Sequence, residues 1–203
     1  MAYDLLFDEK ITMMSIQGPA GTGKTLLSLA AGLGQTTYEE KYNRLMVARP
    51  TIASVGKDLG ALPGELDEKL DPWMGPIYDN LEVIFGRPKE LISQIEELKE
   101  SGILSVQPLA YIRGRSQPKI IFIIDEAQNL TKEEVKTIAT RIGVDAKFIF
   151  IGDPDQIDHP YLDRHNNGLV HLTNNMKDLE FFGSVTIERI ERSYAAEESA
   201  KRL

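Results

Sequence analysis

An eight-residue segment near the start of the chain has the residue types of a phosphate-binding loop. It reads Gly18-Pro19-Ala20-Gly21-Thr22-Gly23-Lys24-Thr25 and matches the pattern G-x-x-x-x-G-K-[ST] in full. Glycines at this spacing let the backbone curl so that successive N–H groups face an anion, and the following helix adds its positive end. We expect Lys24 to reach the β- and γ-phosphates of a nucleotide and the Thr25 hydroxyl to bind Mg²⁺.

Two carboxylates follow a continuously apolar run farther along the chain. The run at 120–124 reads IIFII, and Asp125 and Glu126 come directly after it. A strand end would hold Asp125 at the carboxyl edge of a sheet, where it can bind Mg²⁺ directly or through water. Glu126 points differently and is the best candidate to orient or deprotonate an attacking water. The alternative for both residues is an acidic helix cap.

A third polar segment follows a second apolar run. Gly152-Asp153-Pro154-Asp155-Gln156 comes directly after the run at 147–151, KFIFI. A neutral amide can bond phosphate or water without adding negative charge, so Gln156 is the predicted γ-phosphate sensor. The alternative is a proline-containing turn in which Asp153 bonds its own backbone.

The elements that must position these residues alternate between strand and helix. Strands are predicted at 11–17, 44–48, 103–109, 119–124 and 147–151, with an edge strand at 185–190. Helices are predicted at 25–33, 88–100 and 131–142, and a terminal helix at 195–203; the last internal helix opens with a Thr131…Glu134 capping signature. Prolines and glycines cut the segment 51–102 into short helices, which look like an insertion or cap. This order predicts an α/β fold with a mostly parallel sheet flanked by helices, forming one domain over 1–203.

Composition excludes several classes of protein. The 203 residues carry a net charge of -8, which argues against a broad nucleic-acid-binding face but leaves room for a narrow basic channel. The absence of cysteine excludes disulfides and thiolate chemistry. With no apolar run of spanning length and no signal-peptide pattern at 1–10, we expect no membrane segment and a cytoplasmic location. No N-K-x-D guanine motif or arginine-rich kinase lid is found.

The motifs GPAGTGKT, DEAQN and GDPDQI, in this order, resemble those of superfamily 1 helicases. Four further segments narrow the resemblance to the PhoH-like ATPase family: ARPT at 48–51, GALPG at 60–64, YIRGRS at 111–116 and IERS at 190–193. The resemblance covers about 5–203. It implies a three-layer, RecA-like P-loop NTPase domain that uses ATP and Mg²⁺, with a link to RNA processing in some members.

Two expectations about the rest of the protein rest on the same resemblance. Members with this ending often carry an N-terminal PIN domain, so we expect the chain to be the ATPase portion of a longer protein. The family's adenine-recognition segment would then fall before Met1.

The transition state of phosphoryl transfer is commonly stabilised by an arginine finger. A single RecA-like domain leaves no second domain to supply it, so we expect a homo-oligomer, a hexameric ring as in the resembled family. The candidates are Arg113, Arg115 and Arg192, each of which could instead be a solvated or salt-bridged surface residue.

Three functions remain open at this point. The leading one is an ATPase motor or switch that acts on RNA. A nucleotide-dependent ring scaffold that never moves along RNA is the second, and a P-loop kinase is the third.

Overall fold

The computed structural model describes residues 1–50, 66–86, 88–109 and 118–189. These residues form six helices and six strands, with a π-helical turn at Gly34–Tyr38 and a 3-10 turn at Ala127–Asn129. The helices are α1 (Ala2–Phe7), α2 (Lys24–Leu33), α3 (Leu66–Phe85), α4 (Pro88–Glu100), α5 (Lys132–Ala139) and α6 (Gly168–Met176). The strands are β1 (Met13–Gln17), β2 (Arg44–Arg49), β3 (Leu104–Pro108), β4 (Ile120–Ile124), β5 (Lys147–Gly152) and β6 (Phe182–Thr186).

All pairings between the described strands are parallel, in the order β3-β2-β4-β5-β1-β6. Successive residues of a strand point to opposite faces, so a sheet covered on both sides needs continuous apolar runs. In β4, Ile121 and Ile123 enter one apolar cluster while Phe122 and Ile124 enter the other. The predicted parallel α/β sheet is therefore confirmed, and its runs are apolar because both faces are buried.

Helices form the two outer layers of the fold. The first cluster includes Leu29 of α2, Ile77 and Leu81 of α3, and Ile95 of α4. The second includes residues of α5 and α6. Within it the rings of Phe122 and Phe148 pack edge to face, with their centroids 5.2 Å apart. This is the three-layer α/β/α arrangement that the sequence predicts.

The order of the strands decides where the predicted site forms. β5 lies between β1, which leads into the glycine-rich loop, and β4, which ends at Asp125. In a parallel sheet these strands end at one edge, so three predicted segments distant in sequence meet there.

Several element predictions were inaccurate. The described residues between β2 and β3 are largely helical, but α3 is one helix of 20 residues that includes Pro72, Gly75 and Pro76. Ile77 and Leu81, four positions apart, are both 0% exposed, and their burial against the sheet favours one long helix over the predicted short ones.

Near the carboxyl end the differences concern boundaries and a missed helix. β6 runs over Phe182–Thr186 rather than the predicted 185–190, because pairing with all five residues of β1, from Met13 to Gln17, decides which residues form the strand. α5 ends at Ala139, before the predicted 142. α6 was not predicted; its N-cap is Asn167, whose Oδ1 accepts from the Val170 N–H at 3.0 Å. The predicted terminal helix at 195–203 lies outside the described residues.

No helix in the described ranges has the length and apolar character needed to cross a membrane.

Candidate phosphate and metal site

The glycine-rich loop between β1 and α2 depends on backbone conformations that favour glycine. Gly18, Gly21 and Gly23 have φ values of 145°, 82° and 76°. A Cβ built on Gly18 would lie 2.1 Å from the Ile187 carbonyl oxygen, so this glycine also allows two backbone segments to approach closely. The loop is thereby held against β5, where the Gly18 N–H donates to the Gly152 carbonyl at 3.2 Å.

Lys24 is the first residue of α2, and its side chain is folded back into the loop. Only 8% of the residue is exposed, and Nζ donates to the carbonyls of Gly18 and Pro19 at 2.6 and 2.8 Å. The Thr22 hydroxyl also donates to the Pro19 carbonyl, at 2.9 Å. The ammonium is thus placed inside the loop that would surround a phosphate.

Thr25 and Asp125 meet across the sheet edge, as predicted. The Thr25 hydroxyl donates to Oδ1 of Asp125 at 3.1 Å, although the two residues are 100 positions apart. Burial, followed by the charge of Glu126, raises the pKa of Asp125 to about 6, against the opposing effects of Arg49 and the Thr25 hydroxyl. A hydroxyl and a carboxylate are hard oxygen ligands that fit Mg²⁺, which usually takes one or two protein ligands and completes its shell with phosphate and water.

Glu126 leaves the strand in the left-handed conformation, with φ 54° and ψ 37°. Its side chain is 39% exposed, and both of its carboxylate oxygens accept hydrogen bonds. Nη2 of Arg49 lies 3.1 Å from Oε1, and Nε2 of Gln128 lies 2.6 Å from Oε2. The predicted base is therefore held at the edge of the site by a residue of β2 and by the turn that follows β4.

A cavity of about 450 Å³ lies between the glycine-rich loop and these carboxylates. Its lining comes from the loop and first turn of α2, the ends of β4 and β5, and one residue of α3: Ala20, Gly21, Thr22, Gly23, Lys24, Thr25, Leu26, Asn80, Asp125, Glu126, Gly152, Asp153 and Gln156. The predicted site residues that the structure describes thus lie around one space, apart from Gly18 and Pro19 at the base of the loop. Arg113, Arg115 and Arg192 lie outside the described residues.

Sequence reasoning missed three contacts at this site. Arg49 approaches both carboxylates, with Nε 3.5 Å from Oδ2 of Asp125. Asp153 accepts from the Ala20 N–H at 3.1 Å through Oδ2, so it joins β5 to the glycine-rich loop. Gln128 belongs to the DEAQN motif, but the sequence assigned it no role of its own. The order of the strands brings Arg49, Asp153 and Gln128 to the same edge of the sheet.

The chain is similar in sequence to known proteins. A family model described as "PhoH-like protein" matches residues 2–201. The chain belongs to this family. It is 52% identical over 205 residues to Protein PhoH2 of Bacillus subtilis (strain 168), covering 100% of this chain and 46% of that protein. Protein PhoH2 of Mycolicibacterium smegmatis is 36% identical over 193 residues, covering 95% of this chain and 43% of that protein.

The PhoH-like chain thus spans a little under half the length of these curated relatives. Among solved structures, the Hef helicase domain of Pyrococcus furiosus aligns with a TM-score of 0.48 and 14% identity, covering 96% of this chain and 38% of that chain. Family membership, the glycine-rich loop and the strand order identify a nucleotide-binding P-loop protein.

Proposed function

We propose that this chain binds ATP with Mg²⁺ and hydrolyses it, and that hydrolysis is coupled to RNA. The observation that carries the proposal is the meeting of Lys24, Thr25, Asp125 and Glu126 around one cavity. Four residue types needed for phosphoryl transfer to water are then within one subunit: an ammonium, two metal ligands and a base.

Each residue has a distinct part in the proposed reaction. The N–H groups of the loop and the Lys24 ammonium bind the phosphates, while Thr25 and Asp125 would hold Mg²⁺, which neutralises charge on the phosphate oxygens when bound. Glu126 accepts the proton of the attacking water. The exposed Gln156 lines the cavity across from the loop, where its amide can orient that water or bond the γ-phosphate.

Glu126→Gln tests the role of the base. The substitution preserves size and removes the proton acceptor, so we expect turnover to fall by about 100-fold or more while ATP binding is retained. Phosphate release and nucleotide titration measure the two effects. Glu133→Gln, an exposed isosteric change on α5, should leave both unchanged. Unaltered turnover in Glu126→Gln would exclude Glu126 as the base.

Coupling to RNA is the proposed use of this hydrolysis, supported by the family resemblance. The test is ATPase activity of the 203-residue chain with and without single-stranded RNA. Stimulation supports the proposal. Nucleotide-dependent assembly without stimulation would instead favour the ring scaffold, and phosphate transfer to a substrate other than water would favour a kinase.

We further propose that the site is completed in a homo-oligomer, in which a neighbouring copy supplies an arginine to the phosphates. Support comes from the need for a transition-state cation, which two-domain helicases take from their second domain. The candidates for this arginine are Arg113, Arg115 and Arg192. We propose that the whole protein is a hexameric ring in the cytoplasm, in which a PIN domain precedes this chain. Analytical ultracentrifugation with nucleotide tests the assembly. A strict monomer with full ATPase activity would overturn it.

A further inference from the structure

Gln128 is a fully buried amide that uses both of its N–H donors and its carbonyl oxygen. Its Nε2 donates to Oε2 of Glu126 at 2.6 Å and to the Gln156 carbonyl at 2.8 Å, and its Oε1 accepts from the Asp153 N–H at 3.1 Å. Two acceptors lie on one side of the amide and one donor on the other, so only one orientation satisfies all three partners. Gln128 therefore ties the carboxylate of Glu126 to both ends of the turn at 153–156.

The turn after β5 is shaped to receive this amide. Gly152 provides the space, because a Cβ there would lie 2.3 Å from Oε1 of Gln128. The turn closes on itself through the Gln156 N–H, which donates to the Asp153 carbonyl at 3.0 Å. Beyond it, Asn129 holds the chain in place by accepting from the N–H groups of Asp158 and His159 at 2.8 and 3.2 Å.

The same turn is bonded to the phosphate-binding loop. Oδ2 of Asp153 accepts from the Ala20 N–H, so a chain of hydrogen bonds runs from Ala20 through Asp153 and Gln128 to Glu126. The middle bond, from the Asp153 N–H to Gln128, is buried, and an unmatched polar group there would be costly, which gives the chain of bonds a defined geometry. A displacement of the glycine-rich loop would be transmitted to the carboxylate through three bonds.

We propose that Gln128 is a positioning residue that sets the direction of the Glu126 carboxylate relative to the phosphate-binding loop. The inference rests on the proposed hydrolysis and deepens it. Gln128 does not line the cavity, so it acts through Glu126 rather than on the phosphates. Removing its amide releases one oxygen of the base and leaves the other with Arg49.

Gln128→Met tests this role, because methionine has nearly the same length and has no amide. We expect kcat to fall about 10- to 100-fold, the effect of a misplaced catalytic group, while KM for ATP changes by no more than about threefold. The matched control is Gln35→Met: Gln35 is also 0% exposed and donates to the Leu6 and Ala31 carbonyls, away from the cavity. That control should retain kcat, and urea unfolding of both variants reports any general loss of stability.

A double variant separates positioning from a structural role. Once Glu126 is glutamine there is no base to aim, so adding Gln128→Met to Glu126→Gln should leave the residual turnover unchanged. Equal kcat in Gln128→Met and the unaltered chain, or a further fall in the double variant, would overturn the inference. An unaltered chain without ATPase activity would instead show that the proposed function has failed.

Discussion

The two halves of the cavity are built in different ways. On the β1 side, the loop 18–25 is shaped by glycine conformations, and its lysine is held by carbonyls of the same loop. On the β4 side, Asp125 and Glu126 are held by Arg49 of β2, by Thr25 of the loop across the cavity, and by Gln128 in the turn that follows β4. The shape of the first half is thus set mainly by the conformation of its own backbone, whereas the second depends on side chains that the sheet brings together.

This difference predicts where each half is vulnerable. The loop should fail when its backbone conformation is disturbed. The carboxylate half should respond to charge and to the loss of single hydrogen bonds.

The largest expected effect is that of Gly18→Ala in the loop. Its φ of 145° disfavours a side chain, and the new Cβ would meet the Ile187 carbonyl oxygen at 2.1 Å. Backbone strain and overpacking together should lower the free energy of unfolding by about 2–5 kcal/mol, measured by urea denaturation.

Gly23→Ala is the matched change within the same loop. Gly23 has φ 76°, but a Cβ there would meet nothing within 4 Å, so only the conformational cost of about 1–2 kcal/mol remains. If Gly18→Ala and Gly23→Ala lower the free energy of unfolding equally, the close approach of Gly18 to Ile187 adds nothing to the cost of the substitution.

Arg49→Gln should have an intermediate effect in the carboxylate half. Without the guanidinium, two adjacent carboxylates lose their shared cation, and the free energy of unfolding should fall by about 1–3 kcal/mol. Added Mg²⁺ should restore part of this loss, because the metal supplies positive charge at Asp125. Urea denaturation with and without Mg²⁺ measures the difference.

Arg44→Gln on the same strand is the control for this experiment. Arg44 is exposed and its Nε donates to the Gly102 carbonyl at 3.0 Å, so its loss should cost at most about 1 kcal/mol and show no dependence on Mg²⁺. A Mg²⁺ response as large in Arg44→Gln as in Arg49→Gln would contradict the role assigned to Arg49.

The last prediction concerns how stability depends on pH through Lys147, a buried cation held by backbone carbonyls, as Lys24 is. Its Nζ donates to the carbonyls of Leu5, Leu6 and Asp8, and burial lowers its pKa from 10.5 to about 8. Between these values the unfolded chain binds more protons than the folded one, so this lysine makes the unfolding free energy rise with pH from about 8 to 10.5. Lys147→Met should remove that rise.

Unfolding of both proteins at a series of pH values measures the effect of Lys147. The difference between them should be constant below about pH 8 and change above it, with the exposed Lys177→Met as a correction for net charge. A difference that stays constant up to pH 10 would contradict the lowered pKa.

The same contrast explains what could be predicted from sequence. The loop, Thr25, Asp125 and Glu126 belong to contiguous patterns whose backbone requirements are visible in the residues themselves. Arg49 and Gln128 act through partners that only the order β2-β4-β5-β1 brings together, and no local pattern encodes that order. Within the fold, the continuous apolar strands were predictable, whereas α3 and β6 depended on packing between distant segments.

The hydrogen bonds from Lys24 to carbonyls of its own loop affect which ligands the loop should accept. An entering anion must draw the ammonium away from the Gly18 and Pro19 carbonyls, so binding is an exchange of partners rather than the filling of an open position. A singly charged anion such as chloride or acetate should gain little free energy by replacing these two carbonyls as the partner of the ammonium. A polyphosphate, with several charges spread over adjacent oxygens, should gain much more, so we expect the loop to select its ligand by charge before any base or sugar is recognised.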